Sequence, residues 1–300
     1  MMLLSDLLRE AGVPVLGPVP DVQVEAVIAD SRQARSGALF CAVRGARQDG
    51  NDWAANALES GCVAVLTDRP EFADRPGHVL VLSVQSAVGP LSRVLLGKPD
   101  EGMKSLAVTG TNGKTSSVFL AEAMFREAGW APALSSTVVV RHPGRESKSD
   151  MTTPDAVKLW QFVAQARDAG AKSLVIEVSS HALHQGRIGG LRFDAAVFTN
   201  LTRDHLDYHG TLPEYFAAKS VLFTRHLKAG GVAIANLDDP YGRILASHLG
   251  DRCRGISFTG SKAVWRAVDL RTSLAGNRFR LVSGKFDLAI ESPLLGETFA

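Results

Sequence analysis

The 300-residue sequence predicts an α/β protein. A small N-terminal α/β domain is expected over residues 1–98. A larger parallel-sheet domain of phosphate-loop type follows over residues 99–300, with a small flanking β-sheet near its end. Three observations lead there. Apolar, β-branched runs of strand length alternate with segments of helical spacing, the pattern of a parallel sheet covered by helices. The stretch "KSLAVTGTNGKT" reads as a buried strand, a Gly-containing turn and a helix start. After about residue 253 the helical spacing gives way to short strands and turns in "RGISFTG", "AVWRAVDL", "RFRLVSG" and "FDLAI".

The first element is "MMLLSDLLREAG". Leu3, Leu4, Leu7 and Leu8 alternate with Asp6, Arg9 and Glu10, which makes an amphipathic helix, too short and too charged for a signal peptide or a membrane span. No later run reaches spanning length. "VQVEAVIAD", "ALFCAV", "CVAVLT" and "HVLVLSV" are strands, and "NDWAANALESG" is a helix stopped by Gly61. The Gly, Pro and charge of "GKPDEGMK" (97–104) mark the linker. Beyond it come a strand at 104–110 and a helix from Lys114 to about Gly129. "AKSLVIEVSS", "FDAAVFTNL" and "GGVAIANLDD" are strands separated by helices at 155–169 and 213–228. Ligands of such a sheet sit at the carboxyl ends of its strands.

Composition excludes several classes. A net charge of +2 with 21% charged residues offers no field for nucleic acid or an anionic membrane. Cys41, Cys62 and Cys253 are far apart, and an odd count without metal-ligand spacing reads as reduced, buried thiols of a cytoplasmic protein.

The phosphate loop departs from the common pattern, in which a Gly and four free positions precede Gly-Lys-Ser/Thr. Residue 108 is Val, and Gly110 takes the role instead. Backbone N–H groups and the helix dipole favour an anion there. Lys114 would neutralise β/γ-phosphates and Thr115 would ligate Mg²⁺. A bare match of this length also occurs in ordinary Gly-rich turns; the strand before it and the helix after it favour phosphate. Glu177 closes an apolar run, where a carboxylate is expensive unless paired or metal-bound; a solvent-facing pleat is the alternative. "FTNLTRDHLDYHG" gathers Asn200, Arg203, Asp204, His205, Asp207 and His209 past another strand, which suits metal binding or catalysis, or a purely structural loop rich in caps.

"TGTNGKT", "EVSSHAL", "TNLTRDHLDYHG" and "YFAAKSVLF", in this order, resemble the Mur ligase family. Upstream, "DSRQARSGALFCAVRGARQDGNDWAANAL" resembles the family's uridine-nucleotide domain; "MTTPDA", "NLDDPYGR" and "SPLLG" resemble its central domain. The resemblance runs from about residue 24 to the end. It implies an ATP-dependent ligase of peptidoglycan precursor synthesis that adds a third residue, diaminopimelate or lysine, to a UDP-muramoyl dipeptide through an acyl phosphate. It further implies that Gly110, Thr111, Asn112, Gly113, Lys114, Thr115 and Ser116 bind ATP. Thr115, Glu177 and His205 would hold Mg²⁺, and Lys219 would be carbamylated. Lys114, Glu177, His205 and Lys219 would be catalytic. Thr152, Thr153, Ser179, Gln185 and Arg187 would grip the muramoyl peptide, and Ser31 and Arg32 the uridine nucleotide. A cytoplasmic monomer is expected.

The sequence departs from the family at Ala38, at Gly50-Asn51-Asp52, and in "SSTVVVRHPGRES", which lacks the family's Gly-Thr-hydrophobic-Gly turn. It also stops before the family's third, amino-acid-binding domain, so the 300 residues alone are expected to be inactive. Two other readings stand beside this one: a module that binds UDP-sugar or nucleotide without turnover, and another ligase of the superfamily such as folylpolyglutamate synthase. The uridine-type first domain and Thr115 speak against the latter.

Overall fold

The computed structural model describes residues 1–45, 48–258, 260 and 263–295. Ala46 and Arg47 of the upstream motif, Thr259 of "RGISFTG" and Gly296 of "SPLLG" lie outside the described residues. The chain divides into two compact units. One comprises Met1–Gly102, Pro154–Gly170 and His184–Leu191; the other comprises Met103–Thr153, Ala171–Leu183 and Arg192–Ala300.

In the first unit, β1 (Met2–Leu3) leads into α1 (Leu4–Glu10), which buries Leu4, Leu7 and Leu8 as the leucine spacing predicts. β2 (Gln23–Val24) pairs antiparallel with β1. β3 (Ala26–Ile28), β4 (Ala38–Cys41), β5 (Ala64–Thr67) and β6 (His78–Leu80) form a parallel sheet in that order. α2 (Ala54–Glu59) and α3 (Val84–Leu95) complete it. The "HVLVLSV" run is a strand only as far as Leu80, because Ser83 accepts the Ser86 N–H and starts α3. Leu4, Leu39, Leu66, Val88 and Leu91 share one core with Ala156 and Val157.

The second unit opens with β7 (Lys104–Thr109) and α4 (Lys114–Glu127). β8 (Pro132–Ser135), β9 (Val139–His142) and β10 (Arg145–Lys148) follow. α5 (Ala156–Asp168) belongs to the first unit. Then come β11 (Ser173–Glu177), α6 (Ser180–His184), β12 (Phe193–Phe198), α7 (Leu206–His209) and α8 (Leu212–Arg225). β13 (Leu227–Asn236), α9 (Pro240–Leu249) and β14 (Cys253–Ser257) lead to β15 (Trp265–Ser273), β16 (Gly276–Ser283) and β17 (Phe286–Ser292).

All the strands of this unit join one sheet in the order β10-β9-β8-β11-β7-β12-β13-β14-β15-β16-β17. Pairing is parallel from β8 through β15 and antiparallel at both edges. The last three strands, expected as a separate flanking sheet, extend the large one instead. β15 continues it through two residue pairs, Ile256↔Trp265 and Ser257↔Arg266. The antiparallel β9–β10 edge has no counterpart in the sequence reading.

β7 lies between β11 and β12. The chain leaves β7 for one side of the sheet and later returns to the other, so the strand order reverses at its carboxyl end. A parallel sheet forms its ligand crevice at such a point. Glu177 pairs with Val108, and Phe198 with Thr109, which brings three strand ends level there.

Candidate nucleotide and substrate sites

Gly110 turns the chain out of β7. A Cβ at this position would lie 1.9 Å from Thr199 Oγ1, so only glycine lets the loop pass the end of β12. Gly113 sits at φ +82° as the N-cap of α4, and no side chain caps that helix. The first-turn N–H groups therefore point outward with no side-chain acceptor, as an anion site requires. Thr115 and Ser116 are half-buried on this turn. The loop is braced from the β12 end. Thr111 N–H donates to Asn200 O at 2.9 Å, and Asn112 N–H to Asn200 Oδ1 at 2.9 Å. The Thr199 hydroxyl donates to Asn112 O at 2.6 Å.

Two lysines converge on this loop. Lys114 Nζ donates to Gly110 O at 3.1 Å and Thr111 O at 2.8 Å. Lys219, on α8, is 1% exposed; its Nζ donates to Gly110 O at 2.7 Å and lies 4.5 Å from the Tyr215 ring centroid. Burial, and after it the charge of Lys114, lowers the Lys219 pKa to about 7. Burial also lowers Lys114, against the raising influence of Glu177 and Asp204. Thr211 and Glu214 form a capping box that fixes the start of α8.

Glu177 is fully buried at the end of β11, so the solvent-facing alternative does not hold. Its carboxylate accepts from Thr137 N at 3.1 Å and from the Thr137 hydroxyl at 3.0 Å. His205 is half-exposed in a left-handed conformation, 3.5 Å from Asp204 Oδ2, with its ring edge-on to His181. Among the described residues no cluster of three or more His, Cys, Asp or Glu could hold a metal. His209 is buried and bonds Ser180 Oγ at 2.9 Å.

The residues expected on the muramoyl peptide divide between the units. Thr152, Thr153 and Ser179 belong to the second. Thr153 is 1% exposed; its hydroxyl donates to Glu177 O at 2.9 Å and accepts from Ser179 N at 3.1 Å. That hydroxyl braces the chain where it leaves β11. Gln185 and Arg187 belong to the first unit, where the Arg187 guanidinium donates to Gln185 Oε1 at 2.6 and 2.9 Å.

The first unit also holds a cavity of about 630 Å³ lined by Asp30, Ser31, Phe40, Gln48, Asp49 and Trp53, among others. Ser31 opens a 3₁₀ turn capped by Asp30. Arg32 does not line this cavity; its guanidinium pairs with Asp30 at 2.7 Å and is largely exposed. Asp49, Asn51, Thr67 and Arg69 brace one wall: Asn51 donates to Asp49, Thr67 donates to Asn51, and Arg69 pairs with Asp49.

Sequence reasoning passed over Thr137 and Thr199, and it assigned Asn200, Asp204 and Tyr215 no specific role. Asn200 and Asp204 fall in the cluster it noticed; Thr137 has only the departure in "SSTVVVRHPGRES" as a signal. The three cysteines are free and buried, and burial raises the Cys41 thiol to about 12. No helix among the described residues is long and apolar enough to cross a membrane.

Comparison with known proteins gives the family. Residues 108–300 match the Mur ligase middle domain, and residues 23–94 match the Mur ligase family catalytic domain. The UDP-N-acetylmuramoyl-L-alanyl-D-glutamate–2,6-diaminopimelate ligase of Parasynechococcus marenigrum is 41% identical over 301 residues, 98% of this chain and 60% of its own. Its namesake in Geobacter metallireducens is 41% identical over 303 residues, 98% and 59%. A solved structure of a ligase with that name superposes with a TM-score of 0.82 at 31% identity, covering 94% of this chain and 59% of the other. MurF ligase from Thermotoga maritima, in complex with ADP, shares the fold at a TM-score of 0.58 and 21% identity, covering 91% and 59%. The chain thus spans about 60% of the length of the curated relatives it matches. With both domain models matched and this identity held along nearly its whole length, the chain belongs to the Mur ligase family.

Proposed function

We propose that this chain carries the nucleotide and UDP-substrate sites of an ATP-dependent ligase that adds diaminopimelate to UDP-N-acetylmuramoyl-L-alanyl-D-glutamate in peptidoglycan precursor synthesis. The observation that carries this reading is the meeting of Lys114 and Lys219 on Gly110 O beneath an uncapped helix start. The names of the relatives supply the substrate and the third residue. A cytoplasmic, monomeric protein belongs to the same reading.

In this reading the substrate carboxylate attacks the γ-phosphorus of ATP, an acyl phosphate forms and ADP leaves; the amine of diaminopimelate then displaces phosphate to form the amide. Lys114, released from the Gly110 and Thr111 carbonyls, offsets charge on the transferring group, and the first-turn N–H groups of α4 orient the phosphates. Both reactants are anions, so positioning by fixed cations and dipoles matters more than acid–base chemistry.

The residues present fit Mg²⁺. It takes oxygen ligands and is commonly held by one or two carboxylates together with substrate phosphates. Glu177 is a buried carboxylate that faces the dipoles of Thr137 and the field of Lys114, and Thr115 offers a hydroxyl on the first turn of α4. Glu177 and Thr115 would hold the ion, with His205 near a second; when bound, it would offset phosphate charge. Lys219 is the carbamylation candidate. Its neutral amine would attack the carbon of CO₂, forming an N–C bond and releasing a proton, and the resulting anion would attract Lys114 where the ammonium repels it. Ser31 and the cavity beside it would take the uridine nucleotide.

The test is to incubate the protein, as the cell makes it, with UDP-N-acetylmuramoyl-L-alanyl-D-glutamate, ATP, Mg²⁺ and diaminopimelate. ADP and the UDP-linked tripeptide should form in equal amounts. ATP hydrolysis without amide formation, or extension with lysine and not diaminopimelate, contradicts the reading.

A further inference from the structure

Both carboxylate oxygens of Glu177 are engaged by one residue outside the nucleotide loop. Thr137 lies in the turn between β8 and β9; its N–H reaches Oε1 and its hydroxyl Oε2. Thr137 Oγ1 is also 3.1 Å from Thr152 Oγ1. A hydroxyl has one proton, and an ionised carboxylate only accepts. The Thr137 hydroxyl therefore has Glu177 Oε2 and Thr152 Oγ1 as alternative acceptors of its one proton, which links the two side chains through Thr137.

The turn is itself fixed. Buried Ser136 donates its hydroxyl to Val139 O at 2.8 Å, and its oxygen accepts from Val138 N at 3.2 Å and Val139 N at 3.0 Å. Further along β9, the Arg141 guanidinium bonds both oxygens of buried Glu122 on α4, at 2.7 and 2.6 Å. The two donors of Thr137 are thus set by the sheet and by the same helix that begins at the phosphate loop.

We propose that Thr137 is a positioning residue. It fixes the plane of the Glu177 carboxylate for magnesium–nucleotide binding and ties that carboxylate to the Thr152–Thr153 segment. The proposal rests on reading Glu177 as a magnesium ligand. Outer partners that orient a ligating side chain change metal affinity by about 10–100-fold when removed.

The test titrates Mg²⁺ into the full chain with a fluorescent ATP analogue, beside a titration of the analogue without metal. Thr137→Val keeps the shape and the N–H bond but loses the hydroxyl; Thr137→Ser restores it. Thr137 is exposed, so both variants should fold, which a thermal melt checks. The Val variant should need about tenfold or more Mg²⁺ for half-maximal binding, with metal-free affinity unchanged and the Ser variant close to the parent. A Val variant with the parent's Mg²⁺ requirement overturns the proposal. So does an equal fall in metal-free and metal-dependent binding, which reports a loosened loop. A parent chain that binds nucleotide without any Mg²⁺ dependence removes the magnesium reading of Glu177, and the proposal with it.

Discussion

Lys114 and Lys219 donate to the same carbonyl oxygen, that of Gly110, at 3.1 and 2.7 Å. They come from distant parts of the second unit's chain, one from the start of α4 and one from the middle of α8. Burial, and after it the charge of the neighbouring Lys114, lowers the Lys219 pKa to about 7. In the proposed reading Lys114 serves as the cation for phosphate and Lys219 as the amine that takes up CO₂.

The first prediction concerns Lys219 and pH. Burial holds its folded pKa at about 7, against an ordinary lysine value of 10.5. Between those values the unfolded chain binds more protons than the folded one, so stability rises with pH across this window. Below about 7 both states carry the proton and the full penalty of the buried charge applies. Relative to Lys219→Met, the parent should gain thermal stability as pH rises from about 7 toward 10. A flat difference contradicts the shift. In ¹³C-bicarbonate the parent should show a carbamate carbon resonance that grows through the same range and is absent from the Met variant.

Gly110→Ala should cripple the loop. The added Cβ would meet Thr199 Oγ1 at 1.9 Å, against a backbone that donates and accepts on both sides of the contact. A loss of about 1–3 kcal/mol in stability is expected, with nucleotide binding reduced further than stability. Chemical denaturation and an ATP-analogue titration check the two separately. Unchanged nucleotide affinity would mean that the loop geometry does not matter for binding.

Glu122 should be a stability residue. It is 2% exposed between Arg141 and Arg126. Glu122→Ala leaves Arg141 without its buried partner and should cost about 3 kcal/mol, the scale for breaking a buried pair on one side. Glu122→Gln should cost less, since it keeps a hydrogen-bond acceptor. Urea unfolding decides; an Ala variant within about 0.5 kcal/mol of the parent refutes the role.

What the sequence disclosed depended on whether the signal was local. Lys114 and its neighbours were legible because strand, turn and helix follow one another in twelve residues. Glu177 was legible because a carboxylate ending an apolar run is costly. Lys219 shows the limit. Its spacing alone reads as a surface lysine on an amphipathic helix; family resemblance singled it out, and only the packing of α8 against the loop accounts for its burial. Thr137 left almost no signal, because its partners are 15 and 40 residues away. α3 was hidden because its first residues continue an apolar run and Pro90 lies inside it. The edge placement of β15 to β17 depends on two residue pairs with β14, which no period in the sequence encodes.

Trp53 should matter to UDP-substrate binding. It is an exposed aromatic on the wall of the first unit's cavity, beside Asp49 and Ser31. A stacked base typically contributes about 1–3 kcal/mol, so Trp53→Ala should weaken UDP-muramoyl dipeptide binding about tenfold, with ATP affinity unchanged. Calorimetry with the full chain reads both. Equal affinities of parent and variant for the UDP-substrate would remove the uridine reading of this cavity.

The central claim is that the loop from Gly110 to Ser116 binds ATP phosphates with Lys114 as their cation. Isothermal titration of the full chain with ATP in the presence of Mg²⁺ tests it most directly, with Lys114→Met alongside. The parent should bind ATP and ADP far more tightly than adenosine, and the Met variant should lose at least about tenfold in ATP affinity while adenosine binding stays the same. Equal affinity of the parent for ATP and adenosine, or a Met variant that binds ATP as the parent does, would contradict the account.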